Sequence, residues 1–148
     1  MTAPRNRQVA ARGADASQSA WRRRLSGGVA VVVGLQFLAL GAWALAAPRS
    51  FFDTVAAFEP YNQHFVQDIG AFQVGLGAVL LLAYWRPRAD GLAVALLGVG
   101  AGAALHALSH IVGRDLGGKP ETDIPLLIVL AGASLAAGAV TFFRSRGS

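Results

Sequence analysis

The chain has 148 residues, enough for one compact domain and not for two. Residues of the AVILMFWYC set make up 54% of it and charged residues 14%, where a soluble domain carries about a quarter charged, so the composition points to a membrane. The absence of cysteine excludes disulfides, thiolate metal sites, Fe–S clusters and a cysteine nucleophile.

Residues 1–24 are polar and rich in Arg, Ala, Ser and Gln, and are expected to form a disordered basic arm. Residues 25–148 hold the transmembrane domain. A bilayer core about 30 Å thick needs roughly 20 apolar residues in a helix. Span one is residues 28–47, broken only by Gln36, with Pro48 after it. Its basic flank, the Arg22-Arg23 pair and Ala44-Leu45-Ala46 also fit a signal peptide, but the apolar run is longer than the usual 7–15 residues. Span two has an apolar run over 69–85 containing Gln73; starting near Asn62, it becomes a helix over about 64–85. Span three covers 92–112, with Gly113 where a C-terminal glycine is common. Span four covers 124–143, with Asp123 as N-cap residue and Pro125 in the first turn. The fold expected is an all-α transmembrane four-helix bundle.

Arginine gives the bundle a direction. Arg5, Arg7, Arg12, Arg22, Arg23, Arg24, Arg86, Arg88, Arg144 and Arg146, with Asp15 and Asp90, give one side a net +8. Arg49, Arg114 and Lys119, with Asp53, Glu59, Asp68, Asp115, Glu121 and Asp123, give the other −3. Both termini are therefore expected in the cytoplasm, with the protein multi-pass in the cell membrane. The arginine arm has no aromatic interleaving or folded reader, so no nucleic-acid partner is expected.

Helices in lipid associate through small residues. Steps of four place Gly98, Gly102, His106 and His110 on one stripe of span three; Ala71 and Gly75 share a face of span two. Gly34 and Gly41 in span one, and Gly132, Ala136 and Ala139 in span four, complete the expected packing positions. Gln36 and Gln73 are expected to hydrogen-bond between helices, because an unpaired amide in lipid costs several kcal/mol.

Ionisable groups within a span are costly and mark candidate sites. His64 with Asp68 and His106 with His110 are both i, i+4 pairs, each on one helix face. With spans two and three antiparallel, both pairs are expected in the outer leaflet, His64 level with His110 and Asp68 with His106. Three histidines and a carboxylate suit Zn, Fe or Cu. A structural hydrogen-bond network and a proton relay fit the same residues, and His64 with His110 is the only pair suited to haem.

The segment Pro60-Tyr61-Asn62-Gln63-His64-Phe65-Val66-Gln67-Asp68-Ile69-Gly70, the Trp85-Arg86-Pro87-Arg88 turn and Leu105-His106-Ala107-Leu108-Ser109-His110 resemble small four-span bacterial proteins of unassigned function, found mainly in actinobacteria. The span ending Ala47-Pro48-Arg49-Ser50-Phe51-Phe52 is similar to the broader DoxX-like proteins, which include members linked to quinone or sulfur redox chemistry. That resemblance, over residues 28–143, implies the four-helix fold and an accessory or redox-linked subunit of a membrane complex, with a membrane-protein partner or a homo-oligomer. A small transporter or proton path through Gln36, Gln73, Asp68 and His106 is a third reading. No P-loop, nucleophile elbow, dinucleotide fingerprint or His-Glu-x-x-His marks an enzyme.

Overall fold

The computed structural model describes residues 3–86 and 88–145, and among them it is helical with no strand. Five α-helices follow in order: α1 (Ala3–Ala46), α2 (Pro48–Phe51), α3 (Gln63–Trp85), α4 (Ala89–Val112) and α5 (Pro120–Ser145), with a π-turn over Phe52–Ala56 after α2. Four stretches are long and apolar enough to cross a membrane: Ala20–Ala46, Gln63–Trp85, Asp90–Val112 and Pro120–Phe143.

Two boundaries differ from the sequence reading. The arm expected to be disordered is helical from Ala3 and continuous with span one. Alanine, arginine and glutamine are strong helix formers, and an adjoining helix spares the arm the cost of nucleation. Span four begins a turn earlier than Asp123, at Pro120. Asp123 acts from inside the helix, its Oδ2 accepting from the Lys119 backbone N–H at 2.9 Å. The other ends follow expectation: Asn62 Oδ1 caps α3 by accepting from Phe65 N–H, and Gly113 closes α4.

The bundle is built from two tight antiparallel hairpins, α1 on α3 and α4 on α5; α3 and α4 touch sparingly. Glycine makes both hairpins tight. A Cβ on Gly41 would lie 2.7 Å from Gly70 O, and one on Gly77 would lie 2.7 Å from Gly34 O. Gly34 and Gly41 thus face Gly77 and Gly70, two heptad steps running in opposite directions. In the second hairpin, a Cβ on Gly100 would lie 2.9 Å from Leu135 N and one on Gly138 2.9 Å from Leu97 N. The stripe of steps of four is not used: nothing lies within 4 Å of a Cβ on Gly75, Gly98, Gly102 or Gly132.

The hairpins are tied at both ends. At the arginine end, the buried Ser26 hydroxyl donates to Ala137 O at 3.2 Å, and the Thr141 hydroxyl lies 3.0 Å from Ser26 Oγ. At the opposite end, Lys119 Nζ donates to Thr54 O at 2.9 Å and Gly118 N–H to Ala57 O at 3.3 Å. Between the ties, the core gathers Ala30, Val33, Leu80, Leu96, Val99 and Ala103. Ser134 is fully buried in α5, and its hydroxyl has no hydrogen-bond partner among the described residues. Removing an unsatisfied buried hydroxyl is neutral or stabilising, so Ser134→Ala should raise or leave unchanged the melting temperature in detergent; a loss of more than about 1 kcal/mol would contradict the assigned environment.

Candidate functional site

The four candidate ligands, His64, Asp68, His106 and His110, lie towards the end opposite the arginine clusters, beneath residues 47–62 and 113–119. Pro48 forces the turn out of α1, since the residue before a proline is pushed out of the helical region; Ala47 sits at φ −140°. The chain then folds an aromatic cap over that end. Trp43 meets Phe51 edge-on at 5.7 Å and Phe52 meets Tyr61 at 5.0 Å. The Arg49 guanidinium stacks 4.9 Å from the Tyr61 ring centre and pairs with Asp53 at 3.0 Å. The Asp53 hydrogen bond and charge raise the Arg49 pKa further above its ordinary value. Neither Lys119 nor this arginine cluster stood out in the sequence, although the i, i+4 spacing of Arg49 and Asp53 carried the signal.

The four candidate ligands fall into two pairs. His64 Nε2 and Asp68 Oδ2 are 3.7 Å apart on α3, with side chains 88% and 54% exposed. That is beyond hydrogen-bonding distance, and an exposed ion pair of this kind contributes little. On α4, His106 Nε2 and His110 Nε2 are 3.0 Å apart, with ring centres 4.9 Å apart and planes inclined by 30°. Among the described residues no three His, Cys, Asp or Glu side chains gather closely enough to hold a metal ion. The expected meeting of His64, Asp68, His106 and His110 is therefore not found. The cause is the pairing of helices: α3 is committed to α1 and α4 to α5, so the two histidine faces belong to different hairpins. Within each helix the i, i+4 reading holds.

The α4 pair has the more defined surroundings. Ser109 Oγ–H donates to His106 O at 2.8 Å. His106 is exposed and His110 half-buried. The glutamines behave differently from expectation. Gln73 Oε1 is buried with no partner among the described residues, and Gln36 lines a furrow between α1 and α5.

Nothing among protein-family models, curated proteins or solved structures matches the chain.

Proposed function

We propose that this is a multi-pass protein of the cell membrane, with its arginine end in the cytoplasm, and that its opposite end holds a transition-metal ion on the α4 histidine pair. The orientation rests on the arginine distribution. The separation of the two Nε2 atoms, 3.0 Å, carries the metal reading. A metal about 2.0–2.1 Å from two imidazole nitrogens needs them about 2.9–3.4 Å apart, for bond angles from a right angle to tetrahedral. The pair meets the lower end of that range; without metal the contact is a hydrogen bond from one Nε2–H to the other Nε2, and a metal would replace that proton, leaving both rings protonated on Nδ1. Zn, Cu and Fe are the imidazole-binding candidates, and water or a partner's side chain would complete the shell.

The test is metal binding to purified, chelator-stripped protein, by elemental analysis and calorimetry. One Zn²⁺ or Cu²⁺ per chain is expected. His106→Ala and His110→Ala should each weaken binding by at least about 100-fold, since losing a direct ligand costs no less than the roughly 10–100-fold of an outer-shell partner. His64→Ala should leave it unchanged. Absence of bound metal, or equal dependence on His64, defeats the proposal.

A second reading, an accessory subunit of DoxX-like kind, is supported by the exposed stretch of α4 where Gly98 and Gly102 meet nothing. Open glycines within a span accept a close-packed neighbouring helix. Tagged protein that runs alone in mild detergent would count against it.

A further inference from the structure

Between α1 and α5 the wall of the bundle is incomplete. One opening of about 470 Å³ runs beside Arg24, Gly28, Val32 and Gln36 on α1 and Leu126 and Leu130 on α5. A second of about 470 Å³ runs beside Trp21, Arg22 and Ser26 on α1 and Ala136 and Val140 on α5. Leu25, Val29 and Ala133 border both, so the two form one furrow. From Trp21 to Gln36 it is about 22 Å long at 1.5 Å per residue, somewhat more than the depth of one leaflet of a core about 30 Å thick.

Small residues, Gly28 on α1 with Ala133 and Ala136 on α5, border the furrow among larger apolar ones. α1 and α5 are in contact where Ser26 meets Ala137 and Thr141, but a Cβ on Gly28 finds nothing within 4 Å. Its rims are exposed apolar side chains: Leu25 at 56%, Val32 at 67%, Leu126 at 65% and Val129 at 69%.

Its charge is all at one end. Arg22, Arg23 and Arg24 are exposed, and the ion pairs formed among the described residues, Arg49–Asp53 and His64–Asp68, lie elsewhere. Trp21, 57% exposed with the Arg22 guanidinium 6.0 Å from its ring centre, is the aromatic residue expected at headgroup depth. An apolar furrow somewhat longer than one leaflet is deep, with guanidinium groups at one end, matches an acyl chain below a phosphate.

We propose that the α1–α5 furrow binds an anionic phospholipid, one acyl chain lying between Gly28 and Ala133 and the phosphate held by Arg22 and Arg24. Guanidinium groups take phosphate oxygens in charge-assisted pairs, and a headgroup with net negative charge gains most from them. The choice of lipid is independent of any metal on α4.

The test uses full-length protein with Trp43 and Trp85 replaced by phenylalanine, leaving Trp21 as the only reporter. It is reconstituted in phosphatidylcholine vesicles containing phosphatidylglycerol, either lipid brominated on its acyl chains. Brominated phosphatidylglycerol should quench Trp21 with an apparent affinity at least about five-fold above that of brominated phosphatidylcholine, the gain expected from a single arginine at the surface. Arg22→Ala/Arg24→Ala should bring the ratio to about one. Gly28→Leu, which fills the furrow and leaves every charge in place, should lower it as well. Equal quenching by the two lipids overturns the proposal. So does a preference that survives Gly28→Leu, since that would be diffuse attraction to the arginines. A dimer broken by Gly28→Leu overturns it too, because a second copy would then fill the furrow.

Discussion

Replacing Gly41 with leucine should separate α1 from α3 and cost the fold about 3 kcal/mol, the upper part of the usual range for overpacking a core. A Cβ there would lie 2.7 Å from Gly70 O, 2.8 Å from Val74 N and 2.9 Å from the Val74 side chain. Two of those three neighbours are backbone atoms, so the site cannot be relieved by a rotamer change. Relief requires α3 to move outwards, and the Gly34–Gly77 contact one heptad away would open with it. Gly77→Leu should behave alike, since its Cβ would meet Gly34 O and Leu38 N. Gly75→Leu is the control, because nothing lies within 4 Å there, and its effect should stay within about 0.5 kcal/mol. The measurement is thermal unfolding in detergent. Gly41→Leu melting no lower than Gly75→Leu would refute the close approach of the two helices.

The same glycines show how far the fold was legible in the sequence. The four spans were plain, because length and apolarity are properties of each segment alone. Gly34 and Gly41 were identified, and they pack. Gly98 and Gly102 were identified by the same rule and do not. A small-residue stripe marks where a helix can be approached, but the sequence of one helix does not say which neighbour approaches. Gly70 and Gly77 carried the missing information, since their seven-residue step matches that of Gly34 and Gly41. Equal steps on consecutive spans let the glycines of an antiparallel pair meet one to one, as Gly34 meets Gly77 and Gly41 meets Gly70.

The candidate site divided along the same line. Each i, i+4 pair is a local property of a helix, and both pairs are present on their helices. Their meeting depended on α3 lying firmly against α4, which charge and hydropathy do not encode. The tie between Lys119 and Thr54 was invisible for another reason: it joins residues 65 positions apart through a backbone carbonyl, so no side-chain pattern announces it. The furrow was hidden because it is a gap between two helices: Gly28 opens an apolar run in the sequence, and nothing there marks what faces it.

Gly117→Val should release the loop between α4 and α5 from the aromatic cap and let the two hairpins part at that end. Gly117 has φ +120°, a conformation essentially reserved for glycine, and a Cβ there would lie 3.1 Å from Phe58 Cβ and 3.3 Å from Ala57 O. Backbone strain of this kind costs about 1–3 kcal/mol, and β-branched valine adds a steric clash with Phe58. The loop can avoid both by lifting away, which breaks the bonds from Gly118 N–H to Ala57 O and from Lys119 Nζ to Thr54 O. Spin labels at Asp53 and Asp115 should report a longer and broader distance distribution, with helix content unchanged. Lys119→Ala removes only the side-chain bond to an exposed carbonyl and should cost about 1 kcal/mol or less, with a smaller change in that distribution. An unaltered distribution in Gly117→Val would mean that the loop does not hold the hairpins together. The metal affinity proposed for α4 should not follow the loop: His106 and His110 stand on a single helix that keeps its own backbone bonds, including Gly113 N–H to Ser109 O. Loss of the distance constraint with retention of metal would therefore separate the clasp between hairpins from the proposed metal site, a histidine pair carried by α4 alone.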